Sequence, residues 1–268
     1  MNIEEWTIEG SRGNPIYGTM HSPNELAKGV VLLAHGFMGY KEYGMFPWLA
    51  QQFAELGYIA HRFNFSHSGM LPGDGPFERV ELFEQATWNR QVEDIEILVS
   101  AVKVPDMPLY LFGHSRGGVS TLLSLGRRVV EADGAIVLSS PSHCLTMTQE
   151  QQESLLAAGS MELPSGRTGQ TLHAGKAFLQ EQLEDPEGHD LLALASTIDV
   201  PVLVVHGDKD PTVPPSCGEE LQSVLKNGTL AFIPGSNHVF NTTNPFPVDG
   251  EPSGQLAGAW FSIATWLP

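Results

Sequence analysis

Residues 113–117 read Gly-His-Ser-Arg-Gly, and their setting constrains the fold more than any other stretch of the chain. An apolar run, 108–112, precedes them and has the look of a buried strand. A run carrying Leu122, Leu123, Leu125 and Val129 follows and has the look of a helix. A chain that turns directly from strand to helix must bend sharply, and the positions flanking the bend have room for little or no side chain. At the apex of such a bend Ser115 is lifted off the sheet, where a base can take its hydroxyl proton. The amide of Arg116, first in the helix, is aimed at any oxyanion that forms there.

The rest of a catalytic constellation follows downstream in chain order. An apolar run at 202–206 leads into Gly207-Asp208-Lys209-Asp210-Pro211-Thr212-Val213-Pro214, and a second at 230–233 leads into Pro234-Gly235-Ser236-Asn237-His238. A serine hydroxyl is a poor nucleophile at neutral pH. It needs an imidazole as general base, and the imidazole needs a carboxylate to fix its tautomer and stabilise its charged form. Ser115, an acid near position 210 and His238 each fall just past the C-terminal end of an expected strand, where open α/β sheets place their crevices.

These segments, with His35-Gly36-Phe37-Met38-Gly39 and Gly113-His114-Ser115-Arg116-Gly117-Gly118, resemble serine hydrolases of the α/β-hydrolase superfamily. Within it the chain is most similar to small cinnamoyl/feruloyl-type esterases and serine-aminopeptidase-like hydrolases. The likeness runs from about residue 30 to the C-terminus. It implies Ser115 as nucleophile, His238 as general base and Asp210 as the acid, with Asp208 tying down its loop through side-chain-to-backbone hydrogen bonds. It also implies an oxyanion hole made by the amides of Arg116 and Phe37, the latter presented by the tight turn at Gly36. His114 is expected to pack beside the bend, and His35 to stabilise the loop at its strand end. The Arg116 side chain is left between the cleft and a surface salt bridge. One segment departs from the pattern: Phe63-Asn64-Phe65-Ser66-His67-Ser68-Gly69 stands where relatives often read Asp-x-Arg-Gly-His-Gly, so the usual charged anchor of that loop is absent.

Lys and Arg number 14 against 31 Asp and Glu, a formal net charge of −17. A surface this acidic repels nucleic acid and anionic membranes. The N-terminal residues carry neither a basic stretch nor an apolar core of a signal peptide, and no apolar run approaches the roughly 20 residues a membrane span needs. With two cysteines, Cys144 and Cys217, at no metal-like spacing, a reducing cytoplasmic setting is expected. No cofactor or metal is expected: His61, His67 and His143 lack neighbours at ligand spacing, and Gly73-Asp74-Gly75-Pro76 does not open a helix. The expected partner is a small-molecule ester substrate. The oligomeric state, homodimer included, is left open.

Short apolar runs near 6–8, 16–20, 30–35, 59–64, 109–113, 135–139, 202–206 and 230–234 predict eight strands. From residue 30 onward they are continuous rather than alternating, as in strands covered on both faces. Helices are expected between them, near 46–56, 85–102, 117–130, 216–225 and 255–266. This alternation predicts one α/β domain over 1–268, a doubly wound, mostly parallel sheet, with the first two strands forming an antiparallel edge. Residues 141–195 contain no expected strand and are longer than a linking helix needs. They are read as a helical lid over the cleft, with helix formers at 148–158 and 175–183. The chemistry expected is hydrolysis of small to medium acyl or aryl carboxylic esters through an acyl-Ser115 intermediate. Thioester hydrolysis or acyl transfer would use the same residues, and a hydrolase-fold ligand-binding protein is the alternative from another class.

Overall fold

A computed structural model describes all 268 residues. The strands are β1 (Asn2–Glu9), β2 (Pro15–Ser22), β3 (Gly29–Ala34), β4 (Tyr58–Asn64), β5 (Leu109–His114), β6 (Gly134–Leu138), β7 (Ser160–Pro164), β8 (Thr171–Gly175), β9 (Val202–Gly207) and β10 (Gly228–Ile233). The helices are α1 (Phe46–Leu56), α2 (Val80–Glu84), α3 (Trp88–Val102), α4 (Arg116–Gly126), α5 (Gln149–Ala158), α6 (Ala177–Glu184), α7 (Leu191–Ala195), α8 (Ser216–Val224) and α9 (Gly254–Trp266). None is long and apolar enough to cross a membrane.

Eight strands form one sheet in the order β1-β2-β4-β3-β5-β6-β9-β10. β2 runs antiparallel to both its neighbours, and every other pair is parallel. The continuous apolar runs are explained by helices on both faces. Along β3, Val30 and Leu32 pack with Val92 and Leu122 of α3 and α4, whereas Val31 and Leu33 pack with Leu49, Phe53 and Ala259 of α1 and α9. Because side chains alternate across a strand, an apolar layer on each face requires apolar residues at every position.

Two boundaries differ from the sequence-based expectation. The helix expected from residue 85 begins at Trp88, because the Thr87 hydroxyl accepts from the Arg90 amide and caps it, leaving α2 as a separate short helix. The segment between β6 and β9 is not wholly helical. It holds α5 and α6 close to the expected places, but β7 and β8 form an antiparallel hairpin between them, with Leu163 opposite Leu172. Met161 and Leu163 are more covered than Glu162 and Pro164, a period of two that helix-forming neighbours on both sides masked. At the end of the segment, Leu191 and Ala195 of α7 are buried in the same apolar layer as Val119 and Leu122.

Burial pushes five histidines down: His21, His35, His61 and His67 to about 4 and His114 to about 3, from an ordinary 6.5. Between pH 6.5 and 4 the unfolded chain therefore takes up protons that the folded chain refuses, so stability falls on acidification. Asp94 opposes this with one proton, since burial raises it from 3.8 to about 6. The net expectation is a melting temperature lower by roughly 10 °C or more at pH 4.5 than at pH 7. Thermal melts followed by circular dichroism check this, and a melting temperature flat across that interval would contradict it.

Candidate active site

The strand-to-helix bend is built as its sequence requires. Ser115 sits at φ 54°, ψ −121°, a backbone conformation that costs a residue with a side chain about 1–3 kcal/mol. Its amide donates to Leu138 O of β6 at 2.8 Å. The two glycines are needed for space: a Cβ at Gly113 would lie 2.3 Å from Gly117 O, and one at Gly117 would lie 2.3 Å from Ala34 O. The register of β3 on β5, with Ala34 beside Gly113, brings the turn after β3 against the bend. A Cβ at Gly36 would sit 2.9 Å from Ser115 Cβ. The amides of Phe37 and Arg116 are given no acceptor by the fold, so both are available to a ligand.

Asp210 and His238 meet on the same edge of the sheet, from the loops after β9 and β10. His238 Nδ1 donates to Asp210 Oδ2 at 2.8 Å. The other carboxylate oxygen, Oδ1, accepts from the amides of Thr212 and Val213 at 2.8 and 2.9 Å. Burial alone would raise Asp210, but hydrogen bonds from His206, His238 and the Val213 amide outweigh it and hold the carboxyl well below the usual range. Asp208 does what its turn predicts, accepting from Gly235 N at 2.6 Å and fastening the loop that precedes His238. Ser115, His238, His114 and the Gly36–Gly39 turn line a single cavity of about 210 Å³. Ser115 Oγ and His238 line this cavity without a hydrogen bond between them.

The flanking histidines are structural. His114 Nε2 donates to His238 O at 2.9 Å and its ring lies 4.9 Å from that of His238, which holds the loop in place. His35 Nδ1 donates to Gly36 O at 2.8 Å while its Nε2 accepts from Phe65 N at 3.2 Å, joining the β3 turn to the loop after β4. That loop, which lacks the charged anchor common in relatives, is anchored from another element. Buried Asp94 of α3 accepts from the amides of Ser66 and Ser11 at 2.9 and 2.8 Å and from the Ser66 hydroxyl at 2.9 Å.

Several site residues were not legible in the sequence. Tyr43 and the tip of the β7–β8 hairpin, Ser165-Gly166-Arg167, line the same cavity as Ser115 and His238. The Arg167 guanidinium lies 4.4 Å over the Tyr40 ring and donates to the carbonyls of Asp74 and Gly75, which pins the tip there. His206 Nε2 donates to Val213 O at 3.0 Å and stands 3.5 Å from Asp210 Oδ2, so it steadies the acid. Its only sequence signal was its place at the end of a strand. Arg116 makes no surface salt bridge. Its guanidinium is enclosed by the rings of Trp88, Phe178 and Phe37 at 4.4, 4.5 and 4.8 Å. Its Nε and Nη2 are buried without an acceptor, a state that costs about 1–3 kcal/mol for an unpaired donor.

A doubly wound sheet with a strained serine at the β5–α4 turn, facing an acid–histidine pair on the loops after β9 and β10, is the α/β-hydrolase fold. The chain belongs to the serine aminopeptidase S33 family, whose model matches residues 25–184. Over 266 residues it is 27% identical to a monoacylglycerol lipase of Mycolicibacterium smegmatis, covering 88% of this chain and 91% of that one. Over 197 residues it is 29% identical to a pimeloyl-[acyl-carrier protein] methyl ester esterase of Neisseria meningitidis, covering 62% and 59% of the two chains. Among solved structures, Est1E of Butyrivibrio proteoclasticus, with ferulic acid bound, superposes with a TM-score of 0.69 at 20% identity over 96% of this chain and 98% of that one. A putative hydrolase of Agrobacterium vitis superposes with a TM-score of 0.73 at 17% identity, covering 98% and 99%.

Proposed function

We propose that the protein is a carboxylic-ester hydrolase working through an acyl-Ser115 intermediate on small to medium acyl or aryl esters. The observation that carries this reading is the 2.8 Å His238–Asp210 hydrogen bond facing the same cavity as the strained Ser115. The names of the lipase and methyl ester esterase relatives agree with it. Ser115 Oγ attacks the ester carbonyl carbon as His238 takes its proton, and Asp210 holds the imidazole and balances its charge. The carbonyl oxygen becomes an oxyanion held by the amides of Phe37 and Arg116, donors worth on the order of 10²–10³ in rate each. Collapse breaks the bond to the alcohol oxygen, which takes the proton from His238 and leaves. Water then repeats the sequence on the acyl-serine, releasing the acid and restoring Ser115. The reading places the enzyme in a reducing, cytoplasmic setting, in keeping with free Cys144 and Cys217. A fluorophosphonate probe tests the mechanism: it should label one residue, Ser115, and block hydrolysis of 4-nitrophenyl acetate. A folded protein left unlabelled, or labelled elsewhere, would overturn the reading in favour of a ligand-binding protein.

Within this reading the insertion at 141–195 acts as the lid, and its working part is the β7–β8 hairpin, whose tip lines the cavity. α7 is part of the core and must be kept. Replacing residues 160–175 by a short Gly/Ser linker should leave hydrolysis of small activated acetates within roughly tenfold, about 1.4 kcal/mol. Larger esters draw binding energy from remote contacts, so their kcat/KM should fall much further. Equal losses on small and large esters in a folded variant would remove the hairpin from substrate selection.

A further inference from the structure

Beside the catalytic cavity lies a second one of about 190 Å³, with Phe37 lining both. Its walls are apolar, formed by Trp88, Leu155, Met161, Leu163 and Phe178 among others, and Arg116 is the one fully charged side chain lining it. His143 at its rim is exposed and sits 3.3 Å from Glu220. An apolar cavity does not need a guanidinium, and this guanidinium satisfies nothing in the fold. No hydrogen bond or ion pair holds it, its faces are covered by three aromatic rings, and Nε and Nη2 are buried without an acceptor. Glu181, the nearest carboxylate to bear on it, is committed elsewhere: it accepts from the amides of Trp88 and Asn89 at 2.6 and 3.3 Å and stands 3.5 Å from His189 Nε2. Burial lowers Arg116 to about 10, which still leaves it cationic at neutral pH. The surrounding rings fix the orientation of the guanidinium, and an unpaired, oriented guanidinium is a charge-assisted hydrogen-bond donor suited to a carboxylate.

The proposed reaction says which arm of the ester reaches this cavity. The leaving alcohol must be protonated by His238, which lines the catalytic cavity and not the second one. The acyl arm therefore points the other way, past Phe37 toward Arg116. We infer that the second cavity is an acyl subsite in which Arg116 binds a carboxylate at the far end of the acyl chain, so that the preferred substrates are mono-esters of medium-chain dicarboxylic acids. This inference rests on the ester-hydrolase reading.

The test compares monomethyl adipate with methyl hexanoate, two esters of matched length that differ in a terminal carboxylate against a methyl. Wild-type enzyme should favour the adipate ester at least tenfold in kcat/KM. Arg116→Met should lower that ratio tenfold or more, and Arg116→Lys should retain part of it. Each ratio is taken within one protein, so any change in the oxyanion hole cancels. Should Arg116→Met not fold, Leu163→Glu places a competing carboxylate in the same cavity and should depress the adipate ester more than the hexanoate. Wild-type enzyme that hydrolyses both esters equally, or prefers hexanoate, overturns the inference and leaves the ester-hydrolase reading standing. Absence of turnover on both, and on 4-nitrophenyl acetate, sinks that reading instead. Calorimetry of monomethyl adipate with Ser115→Ala then reads the subsite without turnover: binding supports it, and binding no tighter than that of methyl hexanoate overturns it.

Discussion

Ser115→Ala should abolish hydrolysis of 4-nitrophenyl acetate, with kcat/KM falling by roughly 10⁴ or more, while the melting temperature stays within a few degrees of wild type. The loss is large because the nucleophile is removed outright, leaving only the amides of Phe37 and Arg116 to polarise the carbonyl toward water. Stability should barely change. The Ser115 amide keeps its bond to Leu138 O, and alanine occupies the same φ of 54° at much the same backbone cost. The neighbouring glycines, which have no room for a Cβ, are untouched. Turnover above about 1% of wild type in a folded protein would show that another group attacks the ester.

Asp210→Asn should cost on the order of 10⁴ in kcat, whereas Asp208→Asn should stay within roughly threefold. The asymmetry follows from which atoms are engaged. Both backbone donors near Asp210, Thr212 N and Val213 N, point at Oδ1. An asparagine must therefore place its carbonyl oxygen there and its NH₂ in the position of Oδ2, against His238 Nδ1. Two donors would then face each other unless the imidazole moves its proton to Nε2, the nitrogen that has to accept from Ser115. The productive tautomer is lost while the loop geometry survives. At position 208 the side chain only accepts from Gly235 N, and the amide oxygen of asparagine can do the same. Parallel measurement of kcat and melting temperature for both variants decides the matter. If Asp208→Asn proves the more damaging with both folded, the acid has been misassigned.

Local chemistry carried much of this architecture. Six continuous apolar runs from residue 30 onward, each too short to be a helix of useful length, specify strands that must be covered on both faces, and the intervening periodic runs supply the covering helices. The bend at Gly113–Gly117 was readable because its requirement is steric and local: a Cβ at either end meets backbone at 2.3 Å. The place of the acid and the histidine after their strands was readable for a related reason, since a parallel sheet collects the loops after its strands on one edge.

The remainder depended on residues far apart in sequence. The hairpin at 160–175 has the alternation of two strands, but five short positions between helix formers cannot be assigned until the partner strand supplies the ladder. Asp94 gave no sign of anchoring a loop near Ser66, nor His206 of steadying an acid four residues on, because neither contact has a local period. Arg116 is the sharpest case. The backbone role proposed for it rests on its place after the serine, whereas the setting of its side chain required Trp88 of α3, Phe178 of α6 and Phe37 of the β3 turn to converge on it. By itself the sequence determined the strand–helix alternation, the strained serine and the chain order of the candidate catalytic groups, all set by sterics and periodicity within a few residues. Tertiary structure alone decided which side chains support those groups and that a free guanidinium waits in an apolar cavity, because burial and hydrogen-bond partnership exist only once distant elements pack.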